Sequence, residues 1–264
     1  MPCARELSMT MLEALVIKNR EDLVLFQERI DYHFKDISLL QEAFIHSSYA
    51  FEQGKDLRRD NETLEFLGDA VLDLTVAHAL YRRYPAMEEG ELTQLRAALV
   101  KESHLARMAR QVDIGPALLL GRGEEHSLGR NKNSILSCAF EAVMGAIFLD
   151  GGYDAADGVV HKLVVPWFEE RRKALEVADA KSRLQAMLQE LFNEGPTYHL
   201  DETSGPDHDK VFRVSVRFRG RILACGEAKN KKKAEQQAAA KVVVDFDSYN
   251  FRQGSQEEGD NDNL

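Results

Sequence analysis

The chain has 264 residues, of which 44% are hydrophobic and 30% are charged, and its formal net charge is −10. This length allows two domains or one large one, and the composition is that of a globular protein rather than a wholly disordered one. No run of about 18 apolar residues occurs and the first twenty residues lack a signal-peptide core, so we expect a cytoplasmic protein with no membrane partner.

Residues 20–176 are predicted to be mostly helical, because their apolar residues recur at three- and four-residue spacing. The predicted helices are 39–49, 62–84, 91–111, 134–150 and 155–173. The glycine-rich and charged stretch 121–133 is predicted to be a surface loop. Residues 1–19 are interpreted as an N-terminal extension of this helical domain.

The pattern changes after residues 177–180, which are predicted to be a linker. A helix over 181–193 is followed by predicted strands over 198–203, 211–218 and 222–228 and by a helix over 231–244. The order α-β-β-β-α in about seventy residues is typical of a small α+β domain, here 181–247. Residues 248–264 are polar and acidic, and are predicted to be a disordered tail.

Charged and thiol side chains are unevenly distributed between these parts. Residues 210–241 carry ten Lys or Arg against two Glu, whereas residues 1–178 are net acidic. A basic stripe of this kind is typical of a protein that binds nucleic acid, despite the negative net charge of the whole chain.

The cysteines, Cys3, Cys138 and Cys225, are odd in number and widely spaced, which indicates neither a disulfide framework nor a zinc site.

An acidic face on the predicted helix 62–84 is the first candidate site. On a helix, Glu62, Glu65 and Asp69 fall within an arc of roughly 60°, and three carboxylates so placed repel one another. A hard divalent cation such as Mg²⁺ would neutralise them. The alternative is a solvated acidic face on an amphipathic surface helix.

The residue string of this face favours the first interpretation. Glu62-Thr-Leu-Glu65-Phe-Leu-Gly-Asp69-Ala-Val-Leu resembles the core motif of the ribonuclease III family, endonucleases specific for double-stranded RNA. Segments 46–49, 88–97 and 135–145 resemble further family segments in the same order. The resemblance covers about residues 20–170. It implies an all-α endonuclease domain that acts as a homodimer and uses Mg²⁺, with Mn²⁺ as a substitute.

The resemblance also implies roles for individual residues. Matching positions make Glu65, Asp69 and Glu141 metal ligands and catalytic residues, and place Glu62 and Glu89 near the metal cluster. Phe66 matches an aromatic residue of the dimer interface, although an ordinary core Phe is the alternative. Cys138 stands where the family usually has Asp, and a thiol is a poor ligand for Mg²⁺. Either water fills the gap and metal affinity falls, or activity is weak, or another carboxylate compensates.

The C-terminal stretch 226–239 closely resembles the terminal motif of double-stranded-RNA-binding domains. A helix N-terminus offers unpaired N–H groups and a positive dipole end, and lysines there can straddle a phosphate-lined groove. The family positions expected to contact RNA are found here as Asn230, Lys231, Lys232 and Lys233 on the last helix, Ser182, Gln185 and Gln189 on the first, and His208 in a loop.

Three functions are therefore weighed. The first is a metal-dependent endoribonuclease that cuts double-stranded RNA into staggered products with 5′-phosphate and 3′-hydroxyl ends, with roles in rRNA processing and RNA decay. The second is a catalytically weakened or inactive RNA-binding protein on the same scaffold, because Cys138 replaces the usual Asp. The third is a helical metalloprotein acting on small phosphoesters, which would leave the lysine-led helix without a use.

Overall fold

The computed structural model of the protein describes residues 10–54, 59–249 and 251. The chain divides into two compact units, Met1–Arg171 and Arg172–Leu264. The prediction of an all-α domain followed by a small α-β-β-β-α domain is confirmed. Cys3 and nearly all of the predicted acidic tail lie outside the described residues.

The first unit is helical where the structure describes it. Its helices are α1 Met11–Lys18, α2 Arg20–Ile30, α3 Ile37–Ala43, α4 Ser47–Gln53, α5 Glu62–Arg83, α6 Glu89–Val100, α7 Glu102–Gln111, α8 Ile114–Ala117, α9 Arg122–His126 and α10 Asn133–Leu163. Helix α1 lies inside the predicted N-terminal extension. The long predicted helix 62–84 corresponds to α5 and ends within one residue of its predicted boundary.

Three predicted helices are broken in the structure; one of them, 155–173, is interrupted after Leu163 by a short 3₁₀ turn, Val165–Trp167. The predicted helix 39–49 is divided into α3 and α4, because Ile45 leaves the helix to form a parallel bridge with Leu119. His46 then caps α4, its Nδ1 accepting a hydrogen bond from the Ser48 N–H at 3.2 Å. The predicted helix 91–111 is interrupted at Lys101, whose backbone is extended with φ −65° and ψ 148°.

The predicted loop 121–133 is more ordered than expected, since it contains α9 and a short 3₁₀ turn. The Arg130 guanidinium fixes this region by donating hydrogen bonds to the carbonyl oxygens of Gly115, Pro116 and Leu118 at 2.7–3.0 Å. Such bonds to backbone oxygens give a polar segment a defined shape without a core of its own. Sequence composition alone does not report them.

Helices α5 and α10 form the centre of the unit and pack closely along one side. A Cβ added to Gly68 of α5 would overlap the Glu141 carbonyl oxygen, and a Cβ added to Gly145 of α10 would overlap the Leu64 carbonyl oxygen. The two glycines therefore let the backbones approach where any larger residue would separate them. This contact brings the acidic face of α5 against α10.

Helix α10 is interrupted at Gly152, which has φ 74° and ψ −164°. One 18-residue window within Asn133–Phe192 has the length and apolar composition of a membrane span, but 61% of that window is buried inside the structure. The buried residues of α10 include Leu136, Phe140 and Ile147. Burial of this kind is typical of a core helix in a globular domain.

The second unit contains a three-stranded antiparallel sheet in the order β1-β2-β3, with β1 Thr197–Ser204, β2 Val211–Phe218 and β3 Arg221–Ala228. Helix α12, Lys231–Val244, packs on the sheet, and Gly226 allows the β3 backbone to approach Ala238. The core is filled by residues of helix α11 (Phe168–Phe192), β2 and α12, among them Leu184, Leu188, Val216, Phe218, Ala238 and Val242.

Helix α11 extends from Phe168 to Phe192. The predicted linker 177–180 lies within this helix, and the division between the two units falls earlier, between Arg171 and Arg172. The linker was predicted because this stretch is rich in charged and small residues. Several of these residue types, such as Ala, Glu and Lys, are also good helix formers. Composition therefore does not distinguish a linker from a solvated helix here.

Candidate active site and RNA-binding surface

Three side chains from α5 and α10 converge on one point. A carboxylate oxygen of Glu65, the sulfur of Cys138 and a carboxylate oxygen of Glu141 all lie within 4.8 Å of one another. Glu65 comes from α5, whereas Cys138 and Glu141 lie one turn apart on α10. All three side chains are partly buried, and the backbone contact at Gly68 sets the distance between their helices.

The Glu141 carboxyl group is in an unfavourable place for a negative charge. Burial, followed by the charges of Asp69 and Glu65, raises its pKa to about 7. Within residues 10–54, 59–249 and 251, no lysine or arginine forms an ion pair with any of these three acids. A divalent cation would compensate this charge, so the residues present fit a metal ion.

The surroundings of Cys138 favour the neutral thiol over the thiolate. Burial raises the pKa of its thiol to about 12, and a hydrogen bond to Glu65 and the charges of Glu65 and Glu141 act in the same direction, while a hydrogen bond involving Ser137 opposes them. Its sulfur nevertheless occupies a position beside two carboxylates rather than an apolar pocket. The position of its sulfur therefore makes Cys138 part of the cluster, although the other ligand atoms of the cluster are carboxylate oxygens.

The other predicted acids lie outside this close group. Asp69 is exposed one turn beyond Glu65, near enough for its charge to act on Glu141. Glu62 is exposed at the first position of α5. Glu89 is exposed at the start of α6, where its Oε1 accepts a hydrogen bond from the Thr93 hydroxyl at 2.9 Å.

Glu62 instead borders an open groove of about 800 Å³ that the sequence does not predict. The residues lining it come from α4, from the start of α5 and the segment just before it, and from α9: Ser47, Ser48, Ala50, Phe51, Glu52, Asp60, Glu62, Gly123 and Glu124. Three separate stretches of chain meet here, and no periodic pattern in the sequence links them. Two of its carboxylates, Glu52 and Glu62, are exposed.

Phe66 is 81% exposed and does not belong to the core of its own chain. Leu74 and Tyr81, on the same side of α5, are 57% and 71% exposed. At 100° per residue these three side chains fall within an arc of roughly 80°. An apolar stripe left open on a central helix is typical of a protein–protein interface.

In the second unit, the start of α12 presents the predicted lysines. Lys231, Lys232 and Lys233 are exposed, and within the described part of the chain none of them forms an ion pair. The Asn230 side chain accepts a hydrogen bond from the Lys233 backbone N–H at 2.8 Å and so caps the helix. This capping role is one that the sequence prediction of an RNA contact did not include.

The predicted minor-groove residues are also on the surface. Ser182, Gln185 and Gln189 are exposed on α11, where Gln189 donates a hydrogen bond to the Asn193 side chain at 2.8 Å. His208 is exposed in the loop between β1 and β2. That loop is closed by a backbone hydrogen bond from Asp209 to Pro206 at 2.8 Å, and Gly205 enters it with φ +89°.

Comparison with known proteins gives two family matches. Residues 36–167 match the Ribonuclease-III-like family, and residues 180–243 match the double-stranded RNA binding motif. A helical nuclease domain followed by a double-stranded-RNA-binding domain is the class of protein that these matches and this fold define. The chain belongs to the ribonuclease III family of double-stranded-RNA-specific endoribonucleases.

Individual relatives span nearly the whole chain. Ribonuclease 3 of Desulfotalea psychrophila is 55% identical over 237 residues, which are 90% of this chain and 98% of the relative. Ribonuclease 3 of Syntrophobacter fumaroxidans is 43% identical over 241 residues, covering 89% of this chain and all of the relative.

A solved structure of the nuclease domain of ribonuclease III from Campylobacter jejuni, concerned with flexibility in a region involved in dimer formation, is also similar. It is 41% identical, with a TM-score of 0.50, over 53% of this chain and 94% of that one.

Proposed function

We propose that this protein is a Mg²⁺-dependent endoribonuclease that cuts double-stranded RNA into staggered products with 5′-phosphate and 3′-hydroxyl ends. The observation that carries the proposal is the convergence of Glu65 and Glu141, from two different helices, within 4.8 Å of each other. A divalent cation bound there supplies charge neutralisation at the phosphate and an activated water. The carboxylates are held in place before substrate binds, because the glycine contact fixes their helices.

The protein side chains have distinct roles in this proposal. Glu65, Asp69 and Glu141 hold the ion, with Mn²⁺ as a substitute for Mg²⁺. The Glu141 carboxyl is partly buried beside Asp69 and Glu65, and its raised pKa reflects the negative charge that the ion would balance. Glu62 and Glu89 lie farther out, and we assign them to the RNA-facing or dimer-facing edge of the site.

The active form is proposed to be a homodimer with one active site per subunit, each acting on one strand. The exposed stripe of Phe66, Leu74 and Tyr81 on α5 supports this, because isolated soluble units rarely leave such residues open on a central helix. Of the three, Phe66 is the most exposed in the single chain.

The second unit is proposed to deliver the duplex. Lys231, Lys232 and Lys233 face phosphates across the major groove at the positive end of α12. The exposed set on α11 and the loop between β1 and β2 are assigned to the two flanking minor grooves: Ser182, Gln185, Gln189 and His208. Asn230 contributes by capping the helix that carries the lysines and by its place beside the phosphates. Ribosomal RNA maturation and RNA decay in the cytoplasm are the proposed roles.

The test is cleavage of a long RNA duplex with and without Mg²⁺, beside a Glu141→Gln variant of nearly the same size. We expect cleavage that requires both the metal and Glu141, while the variant binds the duplex as tightly as the wild type. Products should carry 5′-phosphates, which a phosphatase sensitivity assay reports. Metal-independent cleavage, or full activity in the variant, would refute the proposal.

A second function is favoured by one observation, the thiol of Cys138 inside the cluster. It is RNA binding without efficient cleavage on the same scaffold. Wild-type cleavage at saturating Mg²⁺ separates the two, and a gain in cleavage by Cys138→Asp under limiting Mg²⁺ would assign the weakness to the missing oxygen ligand. Binding data alone do not separate them, since both predict affinity that falls steeply with salt.

A further inference from the structure

Cys138 places a sulfur atom within an otherwise carboxylate cluster. We propose that this residue makes the cluster selective for thiophilic divalent cations, such as Co²⁺, Zn²⁺ and Cd²⁺, which bind with a direct bond to the Cys138 sulfur and more tightly than Mg²⁺. This inference rests on the proposed function in that it concerns the same metal site. It goes further by assigning the ion preference of the site to one side chain of this chain.

The geometry fits a single ion held by all three side chains. Metal–sulfur and metal–oxygen bonds of about 2.3 and 2.1 Å put two ligand atoms on opposite sides of one ion about 4.4 Å apart. The Cys138 sulfur and the nearest oxygens of Glu65 and Glu141 already lie within 4.8 Å of one another. Small side-chain rotations therefore close the site around an ion without movement of α5 or α10.

The sulfur is also the third close ligand atom of the site. Asp69 is exposed and does not belong to the group of ligand atoms within 4.8 Å. An ion seated against Glu65 and Glu141 thus meets the Cys138 sulfur before it meets a third carboxylate. The identity of the residue at position 138 therefore decides whether this third contact is made by oxygen or by sulfur.

Ligand chemistry then sets the preference. Mg²⁺ takes oxygen ligands in octahedral geometry and gains little from a thiol, so it would be held by the carboxylates and water. Softer cations form strong bonds to thiolate. When such a cation binds, the sulfur–metal bond forms as the S–H bond breaks, and the proton leaves to the buffer. No oxidation or reduction takes part.

Packing of Cys138 as a small apolar residue is the competing explanation. Its surroundings disagree with that explanation, because the thiol is beside Glu65 and Glu141 and is only partly buried. The neighbouring residues on α10 that do fill the core, Ala139 and Phe140, are almost completely buried. Cys138 thus faces the cluster while its neighbours face the core.

The experiment is a Co²⁺ titration of the metal-free full-length protein, followed by sulfur-to-cobalt charge-transfer absorption in the near ultraviolet. Cys138→Ser replaces sulfur by oxygen at nearly constant size, and Cys225→Ser is the matched control for a thiol elsewhere in the chain. Circular dichroism checks that each variant is folded. Mg²⁺ binding is measured separately by calorimetry, and Cys138→Asp supplies a carboxylate at the same position.

We expect the absorption band in the wild type and in Cys225→Ser, and its loss in Cys138→Ser. Affinity for Cd²⁺ should fall about tenfold or more in Cys138→Ser, because loss of the metal–sulfur bond should cost at least as much as loss of an outer-shell partner, while Mg²⁺ affinity stays within about twofold. Cys138→Asp should instead bind Mg²⁺ more tightly than the wild type.

An absent band in the wild type, or equal Cd²⁺ affinities in wild type and Cys138→Ser, would overturn the proposal. Because these measurements contain no RNA, they are independent of whether the protein cleaves a duplex.

Discussion

The backbone of Gly68 lies against the carbonyl group of Glu141, so close that a single added Cβ would overlap that oxygen. Gly68 is directly followed by Asp69 and stands one turn after Glu65, while Glu141 belongs to the facing helix. The contact thus sets the distance between the acidic side chains of α5 and α10. Both the packing of the two helices and the geometry of the metal site therefore depend on the absence of a side chain at Gly68.

Gly68→Ala should push α5 and α10 apart. We expect a loss of about 1–3 kcal/mol in the free energy of unfolding, as for overpacked cores, together with weaker binding of divalent cations. The matched control is Gly158→Ala on α10, where an added Cβ meets nothing within 4 Å. That change should stabilise the protein by about 0.5–1 kcal/mol. Urea denaturation measures both, and equal effects of the two substitutions would contradict the argument.

Glu141→Gln should stabilise the metal-free protein at pH 8. The substitution removes one of three mutually repelling negative charges from a partly buried position, beside Asp69 and Glu65. We expect a gain of about 1–3 kcal/mol in the presence of a chelator, and a smaller Mg²⁺-induced rise in Tm than in the wild type. Glu62→Gln, exposed outside the cluster, is the control and should change the metal-free stability by less than about 0.5 kcal/mol. If Glu141→Gln were less stable than the wild type in the presence of a chelator, repulsion between the Glu141 carboxylate and its acidic neighbours would be ruled out as a destabilising factor.

Acidification should destabilise the first unit through His104. This residue is fully buried, and its Nδ1 accepts a hydrogen bond from the Arg171 guanidinium at 2.7 Å. Burial, together with the charges of Arg171, Arg107 and Lys101, lowers its pKa from 6.5 to about 4. The unfolded chain therefore binds the proton more readily, so the stability present above pH 6.5 is lost progressively as the pH falls towards 4.

The size of this effect follows from the same shift in pKa. We expect the free energy of unfolding of the wild type to fall through this residue by about 2 kcal/mol between pH 7.5 and pH 5. His104→Gln should not show this fall. The glutamine oxygen still accepts from Arg171 but takes up no proton. The measured quantity is the difference in unfolding free energy between the two proteins at each pH, which cancels the contributions of other groups. A difference that is constant with pH would remove His104 as the cause.

Substitution of Lys231, Lys232 and Lys233 by Ala should weaken duplex-RNA binding and flatten its salt dependence. Each lysine that neutralises a phosphate contributes close to one unit to the slope of log K against log salt, so the triple variant should lose about two to three units. Lys162→Ala on α10, where the lysine is 3.9 Å from Asp31, removes a positive charge elsewhere and is the control. Filter binding at several salt concentrations gives both slopes. An unchanged slope in the triple variant would place the phosphate contacts elsewhere.

Most elements with long or regular patterns were predictable from the sequence. The spacing of apolar residues gave α5 and α12 to within one residue, and alternation gave β2. Boundaries that depend on distant contacts were predicted wrongly. The break at Ile45 exists because that residue pairs with Leu119, some seventy positions away, and local propensity contains no information about such a partner.

The local sequence determines the order of the helices and strands, because helix and strand periods assign side chains to faces. It also determines that three carboxylates share one face of α5 and that lysines stand at the start of α12. Tertiary structure alone decided which of those acids share a site. It placed Glu65 and Glu141 together with Cys138 and left Asp69, Glu62 and Glu89 outside this close group. The reason is that periodicity gives the direction of a side chain but not the distance to its neighbour, which here is set by two glycines whose missing Cβ atoms let the backbones meet.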